Sequence, residues 1–158
     1  MSRAIFFMVS LFILITLDQL SKLWFQTHFN LHESLSVMPG FAFTLVHNQG
    51  AAFGMLGAGL LWQKLMLTGI GVVATVILLF LILKHAITRL EAIAYLCVCA
   101  GAVGNVIDRI RQGYVVDFVD WYYQSWHWPA FNFADIYICL GAFLLLWAWF
   151  GTQFCRRS

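Results

Sequence analysis

The sequence predicts an all-α membrane protein with four transmembrane helices, because its composition is very apolar and the apolar residues form four long runs. Hydrophobic residues make up 62% of the 158-residue chain and charged residues only 10%, whereas soluble domains average about 45–50% and about 25%. The mean hydropathy is +0.83. A chain of this length cannot bury so much apolar surface in its own interior, so we expect it to lie in a bilayer. Residues 1–158 are expected to form a single domain.

Each apolar run is long enough to cross a bilayer, which takes about 20 residues at about 1.5 Å per residue. The predicted spans cover residues 4–25, 65–83, 92–110 and 133–152. The first run resembles a signal peptide, but no A-x-A-like cleavage site precedes Asp18. We therefore expect it to be retained as a span. Gly and Ala in the second and third spans allow helices to approach closely.

Two connections between the spans are longer than a turn requires. Residues 26–64 contain the β-prone stretch 41–46, which predicts a short strand or hairpin. Residues 111–132 are rich in aromatic side chains, which favour the membrane–water interface, so we predict an interfacial aromatic segment. Its aromatic residues include Trp121, Tyr122, Tyr123, Trp126 and Trp128.

The basic residues favour an orientation with both termini in the cytoplasm. The positive-inside rule places the loops richest in Lys and Arg on the cytoplasmic side. On the other side, Lys22 and Arg109 lie beside acids at helix ends, so they are less able to direct insertion. The cytoplasmic set would be Arg3, Lys84, Arg89, Arg156 and Arg157.

Charge and cysteine placement argue against several classes of protein. A net charge of +2 with scattered basic residues does not indicate a nucleic-acid partner. The cysteines lie in apolar runs or in the basic tail, which favours apolar packing over disulfides or a metal site. They are Cys97, Cys99, Cys139 and Cys155.

Polar residues gather at one face of the predicted bundle. Charged groups inside a span cost about 2.5–3.5 kcal/mol each on insertion scales, so such groups are candidates for function. In four antiparallel spans, the ends of spans 1 and 3 and the starts of spans 2 and 4 share one membrane face. That face collects Asp18, Lys22, Asn48, Asn105, Asp108, Arg109, Asp117 and Asp135.

Structural roles could also account for these residues. Asp18 and Lys22 stand at i, i+4, the favourable order for a helical ion pair. Asp108 and Arg109 are neighbours that do not face each other on a helix, and both fit a structural network as well as a substrate contact. Asn132, followed three residues later by Asp135, fits a helix N-cap with an acid at position N3.

Carboxylates are the candidates for chemistry at this face. The sequence contains no H-E-x-x-H motif, no zinc-ligand pattern among its five histidines, no G-x-S-x-G motif and no phosphate-binding loop. By elimination, chemistry at this face would use carboxylates. Asp117 and Asp120 could equally be solvated acids on an interfacial segment.

Five short motifs follow one another along nearly the whole chain. They are Asp18-Gln19-x-x-Lys22, Asn48-Gln49-Gly50-Ala51-Ala52-Phe53-Gly54, Gly104-Asn105-x-x-Asp108-Arg109, Val116-Asp117-Phe118 and Pro129-Ala130-Phe131-Asn132-x-Ala134-Asp135. Together, and in this order, they resemble the motifs of bacterial lipoprotein signal peptidases, the signal peptidase II family.

The resemblance implies a multi-pass aspartic endopeptidase of the bacterial inner membrane, with its active site near the outer face. Such enzymes remove signal peptides from prolipoproteins by cleaving before the diacylglyceryl-modified cysteine, and globomycin inhibits them. The expected partners are therefore these prolipoproteins, membrane lipid and globomycin-type inhibitors. A small β-rich extracytoplasmic platform is also implied, over about residues 26–47. The family's catalytic aspartates correspond to Asp117 and Asp135, and its supporting or substrate-binding residues to Asp18, Asn48, Asn105, Arg109 and Asn132.

Two adjacent carboxyl groups suit peptide hydrolysis. Both cannot ionise easily when they are close, so the pair shares one proton. The ionised partner takes a proton from the attacking water, and the protonated partner donates a hydrogen bond to the scissile carbonyl. We therefore expect no metal or organic cofactor.

Two other classes remain open on the residues alone. A small ion or proton-coupled transporter would use the acids as a relay, although its pathway would be expected to continue to the midplane or the opposite face. A non-catalytic four-span scaffold would use every charge for capping and pairing. Cleavage of a lipidated precursor peptide distinguishes these classes from a peptidase.

Overall fold

The computed structural model describes residues 3–50, 61–84 and 87–155. Within these residues, four helices are long and apolar enough to cross a membrane, which confirms the four predicted spans. Residues 51–54 of the second motif and the basic residues at positions 156 and 157 lie outside the described residues. The elements are α1 (Arg3–His28), β1 (Ser34–Met38), β2 (Phe41–Asn48), α2 (Leu61–Lys84), α3 (Arg89–Gln112), β3 (Val115–Tyr123), β4 (Trp126–His127) and α4 (Phe133–Cys155).

Helix α3 is the centre of the bundle, because it packs against α1, α2 and α4. Glycines let the neighbouring backbones approach it, in α2 as predicted and also in α4. A Cβ atom at Gly71 of α2 would lie 2.6 Å from the Val106 side chain of α3. A Cβ atom at Gly141 of α4 would lie 2.6 Å from the carbonyl oxygen of Ala94. Close packing against α3 therefore depends on glycines of α2 and α4.

Local sequence fixes both ends of α3. Thr88 forms a capping box with Glu91, in which Thr88 Oγ1 accepts from the Glu91 N–H and Glu91 Oε2 accepts from the Thr88 N–H. At the other end, Gly113 adopts φ 80° and donates its N–H to the carbonyl of Arg109. A left-handed residue at this position favours glycine, and it directs the chain straight into β3.

The strands form one antiparallel sheet in the order β1-β2-β3-β4. The β1–β2 hairpin confirms the strand prediction for residues 41–46. In the β2–β3 pair, Val46 lies opposite Asp117 and Asn48 opposite Val115. This register brings the end of β2 beside the predicted catalytic aspartate of β3.

The sheet extends beyond the platform expected at residues 26–47. Residues 26–28 belong to α1, and half of the strands, β3 and β4, come from the segment predicted to be interfacial. Residues 115–120 of β3 are all buried, so this stretch lacks the apolar–polar alternation of a half-buried strand. The sequence therefore shows no apolar–polar alternation from which β3, the longest strand, could be predicted.

An apolar cluster joins the sheet to the bundle. Phe25 of α1 stacks on Phe118 of β3 with ring centroids 4.2 Å apart. Leu45, Val116 and Val119 complete the buried cluster. Farther along β3 and on β4 the aromatic rings of Trp121, Tyr123 and Trp126 are exposed, as expected of an interfacial segment.

Candidate active site

The two predicted catalytic aspartates are held by one asparagine. Asp117 lies on β3, and Asp135 lies in the first turn of α4. Asn132 donates from Nδ2 to Asp117 Oδ1 at 2.6 Å, and its backbone N–H donates to Asp135 Oδ2 at 3.2 Å. A single residue therefore links the two carboxyl groups.

Asn132 is also the N-cap of α4, as its spacing to Asp135 predicts. Its Oδ1 accepts from the Asp135 N–H at 3.0 Å, so the two residues satisfy each other's backbone donors. Because the cap uses the amide oxygen, only the Nδ2 donor remains to face Asp117. Capping and the aspartate pair are thus two roles of the same residues and do not exclude each other.

Two further asparagines complete the donors around the pair. Asn48, at the end of β2, donates from Nδ2 to Asp117 Oδ2 at 2.9 Å. Asn105, on α3, donates from Nδ2 to Asp135 Oδ1 at 2.8 Å. Every carboxylate oxygen of the pair therefore accepts one N–H from a different group.

Asp117 is buried, with 1% of its surface exposed, whereas Asp135 is partly exposed. Burial, and next the negative charge of Asp135, raises the pKa of Asp117 to about 7, and the hydrogen bonds from Asn48 and Asn132 offset part of this rise. Asp117 can therefore keep a proton near neutral pH.

The alternative that Asp117 and Asp120 are solvated interfacial acids is wrong for both residues. Asp120 is only 5% exposed, and it accepts hydrogen bonds from Thr44 Oγ1 at 3.0 Å and from His127 Nδ1 at 2.9 Å. These partners connect β2, β3 and β4, so Asp120 links strands of the sheet.

The predicted Asp18–Lys22 pair is present and forms part of a larger buried cluster. Lys22 Nζ lies 2.9 Å from Asp18 Oδ2 and 3.0 Å from Asp108 Oδ2. Gln19 donates to both acids, and Asp108 Oδ2 also accepts from the Val116 N–H at 3.2 Å. This cluster ties α1 and α3 to the strand that carries Asp117.

Asp18 reaches α4 as well. Its Oδ1 accepts from the backbone N–H of Ala134, next to Asp135, at 2.9 Å. Gly104 of α3 makes this possible, because a Cβ atom there would lie 2.5 Å from Asp18 Oδ2. Asp18 therefore supports the start of α4 and has a structural position in the site.

Arg109 is a half-buried cation beside the pair. It lies within electrostatic range of Asp135, Asp117 and Asp108. Within the described part of the chain, its guanidinium makes no hydrogen bond or ion pair. Its fork of N–H donors is thus available to a group that enters the site.

Residues 3–50, 61–84 and 87–155 contain no cluster of three or more His, Cys, Asp or Glu side chains that could hold an ion. Amide N–H groups face the Asp117 and Asp135 carboxylates.

Comparison with known families decides the class of the protein. The family model for signal peptidase (SPase) II matches residues 10–151. The chain belongs to the signal peptidase II family.

Relatives and solved structures agree with this membership over most of the chain. The lipoprotein signal peptidase of Shewanella baltica (strain OS195) is 44% identical over 131 residues, which cover 82% of this chain and 77% of the relative. The lipoprotein signal peptidase of Syntrophus aciditrophicus (strain SB) is 43% identical over 145 residues, or 90% of each chain. A structure described as a bacterial membrane enzyme, obtained by the in meso method at 2.3 Å resolution, superposes with a TM-score of 0.81 at 27% identity, over 93% of this chain and 88% of that chain.

As a member of the signal peptidase II family with four membrane-spanning helices, the protein is a multi-pass bacterial membrane peptidase. The structure brings together all the site residues that the sequence singled out. Sequence reasoning gave no role to Gln19 and only a pairing role to Lys22, although both are polar residues inside an apolar run. That placement is the signal that could have assigned them to the site.

Proposed function

We propose that this signal peptidase II family member is an aspartic endopeptidase that removes signal peptides from prolipoproteins. In this proposal it cleaves before the diacylglyceryl-modified cysteine, with Asp117 and Asp135 as the catalytic pair. The observation that carries the proposal is the bridge that Asn132 makes between the two carboxyl groups. The family match over residues 10–151 supports one peptidase domain that spans residues 1–158.

The two aspartates have different environments, and this difference suggests their roles. Asp117 is buried and its pKa is raised to about 7, so it is the proposed acid that hydrogen-bonds to the scissile carbonyl. Asp135 is partly exposed, so water can reach it, and it is the proposed base that takes a proton from the attacking water. The pair then keeps one proton through the addition of water.

The surrounding polar residues would orient the pair and the substrate. Asn48, Asn105 and Asn132 hold the carboxylates through their amide donors, and Asp18 holds the backbone beside Asp135. Arg109 would hold a peptide carbonyl or a lipid head-group oxygen near the reacting bond, because its donors are available.

The pair lies where β3 and the start of α4 meet the bundle, so the apolar signal peptide and the lipid can stay in the bilayer while water reaches Asp135.

We propose that this face is extracytoplasmic and that both termini are cytoplasmic. An impermeant thiol reagent should label Cys155 only after spheroplasts are opened. The Ser125→Cys variant, changed in the exposed turn between β3 and β4, should be labelled in intact spheroplasts. The reverse pattern would invert the orientation.

A cleavage assay on paired substrates tests the proposed function. The purified protein is incubated with a precursor peptide that carries a diacylglyceryl-modified cysteine and with the same peptide carrying an unmodified cysteine. We expect mass spectrometry to show a product that begins at the modified cysteine, and we expect globomycin to suppress it. Equal cleavage of both peptides would reject the proposed substrate class, and cleavage of neither would favour a non-catalytic scaffold.

A further inference from the structure

Lys22 contacts a neutral amide in addition to its two charged partners. Its side chain is 2% exposed, and its Nζ contacts Asp18 and Asp108 as ion-pair partners. The third contact goes to a neutral group, Asn105 Oδ1, at 3.0 Å. An ammonium has three N–H donors and no acceptor, so each donor has one oxygen partner here.

The third contact determines which way the Asn105 amide points. An asparagine amide has an oxygen that only accepts and a nitrogen that only donates. If the Asn105 amide were turned over, its NH₂ group would face the Lys22 ammonium, and two sets of donors would meet without an acceptor. The oxygen must therefore face Lys22, and the nitrogen must face Asp135 Oδ1, where it donates at 2.8 Å.

We infer that Lys22 is a positioning residue of the aspartate pair, because its ammonium fixes the Asn105 amide so that Asn105 donates to Asp135. This inference rests on the proposed function, since it matters for activity only if Asp135 is catalytic. Asn132 Nδ2 also faces Asn105 Oδ1, but at 3.3 Å, and its two N–H donors lie closer to Asp117 Oδ1 at 2.6 Å and to the carbonyl oxygen of Val116 at 3.2 Å. Lys22 is thus the main group that holds the amide oxygen.

The test removes the ammonium while the net charge of the buried cluster stays the same. Lys22→Met alone would leave Asp18 and Asp108 side by side without their cation, and that variant could fail to fold. Lys22→Met is therefore made together with Asp108→Asn. This double variant keeps Asp18 as a single negative charge, which is the net charge of the original cluster. The matched control is the Asp108→Asn single variant, in which the contact between Lys22 and Asn105 is retained.

Cleavage of the lipidated precursor gives the first readout. Relative to Asp108→Asn, we expect the double variant to lose between about tenfold and about 100-fold in kcat, with KM changed less than about twofold, because Asp135 is misplaced while the substrate surfaces stay intact. A smaller loss of kcat overturns the inference. A KM that rises by as large a factor as kcat falls also overturns it.

The second readout needs no substrate. With ¹⁵N-labelled asparagine, NMR can follow exchange of the side-chain NH₂ protons of Asn105 and of the exposed Asn30. In the unsubstituted chain we expect Asn105 to exchange at least about tenfold more slowly than Asn30, and the double variant should lose most of this protection. Equal exchange rates in the unsubstituted chain overturn the inference even if no Lys22 variant folds. Protection that persists in the double variant also overturns it.

These readouts separate the inference from the proposed function. If the unsubstituted protein cleaves no lipidated precursor, the proposed function fails, and the exchange data still report whether Lys22 orients Asn105. If the unsubstituted protein cleaves and Lys22 proves dispensable, only the positioning role of Lys22 is rejected.

Discussion

Gly104 of α3 lies directly against the Asp18 carboxylate, and Gly104→Ala therefore tests how the site is packed. The new Cβ atom would lie 2.5 Å from Asp18 Oδ2 and 3.4 Å from the Ala134 Cβ atom. Real Cβ atoms essentially never come within 3.0 Å of another heavy atom, so the Asp18 oxygen has to retreat by at least about 0.5 Å. That oxygen accepts from Lys22 at 2.9 Å.

The expected cost combines two effects. Overpacking a well-packed site typically costs about 1–3 kcal/mol, and weakening a charge-assisted hydrogen bond costs about 1.5–3 kcal/mol when it is lost entirely. Because the retreat of Asp18 weakens the bond without abolishing it, we expect Gly104→Ala to lower the free energy of unfolding by about 2–4 kcal/mol. Activity should fall as well, because Asp18 holds the backbone beside Asp135.

Unfolding in mixed micelles at increasing SDS fraction measures this change. The matched control is Gly69→Ala on α2, where a new Cβ atom meets nothing within 4 Å. That variant should be as stable as the unsubstituted protein or slightly more stable, because alanine favours the helix by about 1 kcal/mol. If Gly104→Ala and Gly69→Ala unfold at the same SDS fraction, the close approach of α3 to Asp18 is refuted.

Three further predictions concern the chemistry of the site. The turnover rate should fall as pH rises through about 7, because Asp117 with its raised pKa holds its proton below that value and loses it above; a rate that keeps rising between pH 6 and pH 9 would contradict its role as the acid. Arg109→Lys should reduce cleavage sharply at normal protein levels, since the charge remains but the planar fork is lost; near-normal turnover would return Arg109 to a structural role. Asp120→Asn should stay active and lose less than about 1 kcal/mol of stability, because Asn can still bond to Thr44 and the other partner, His127, is half-exposed. Loss of activity in a folded protein would show that Asp120 takes part in the reaction.

The spans and the grouping of the polar residues could be predicted because both follow from the length and order of the apolar runs, which a single sequence displays. A run of about 20 apolar residues must be a helix in a bilayer. Once four spans alternate in direction, Asp18 and Asp135 fall at the same face regardless of the side chains between them. The contact between Asp18 and the Ala134 N–H shows how close this grouping becomes.

The sheet was harder to predict, because β3 is set by tertiary contacts. Val116 and Phe118 lie on one face of the strand and Val115 and Val119 on the other, and all four are buried. Because both faces carry apolar residues, the sequence of the strand resembles any apolar segment. The aromatic residues that follow indicated an interface, which agrees with their exposure, but they did not reveal that Tyr122 and Tyr123 continue a strand.

The internal order of the site was also beyond sequence reasoning. The spacing of Asn132 and Asp135 predicts a cap, and the resemblance to a known family predicts a catalytic residue at Asp135. Only the structure shows that the cap oxygen turns the Asn132 nitrogen toward Asp117. Hydrogen bonds between residues far apart in sequence, such as that between Lys22 and Asn105, leave no local pattern.

The central claim is that Asp117 and Asp135 work as one catalytic pair, and Asn substitutions test it most directly. Asp117→Asn, Asp135→Asn and the double variant are purified and assayed for cleavage of the lipidated precursor, with Asp120→Asn as the control. The control is closely matched, because Asp120 lies on the same strand as Asp117 and is likewise buried and doubly hydrogen-bonded. We expect each single variant to lose orders of magnitude in kcat, the double variant to be little worse than either, and the control to keep its activity. Substantial turnover by either single variant at normal protein levels would contradict the claim, since Asn at position 135 can still serve as a cap residue at a cost of about 1 kcal/mol or less.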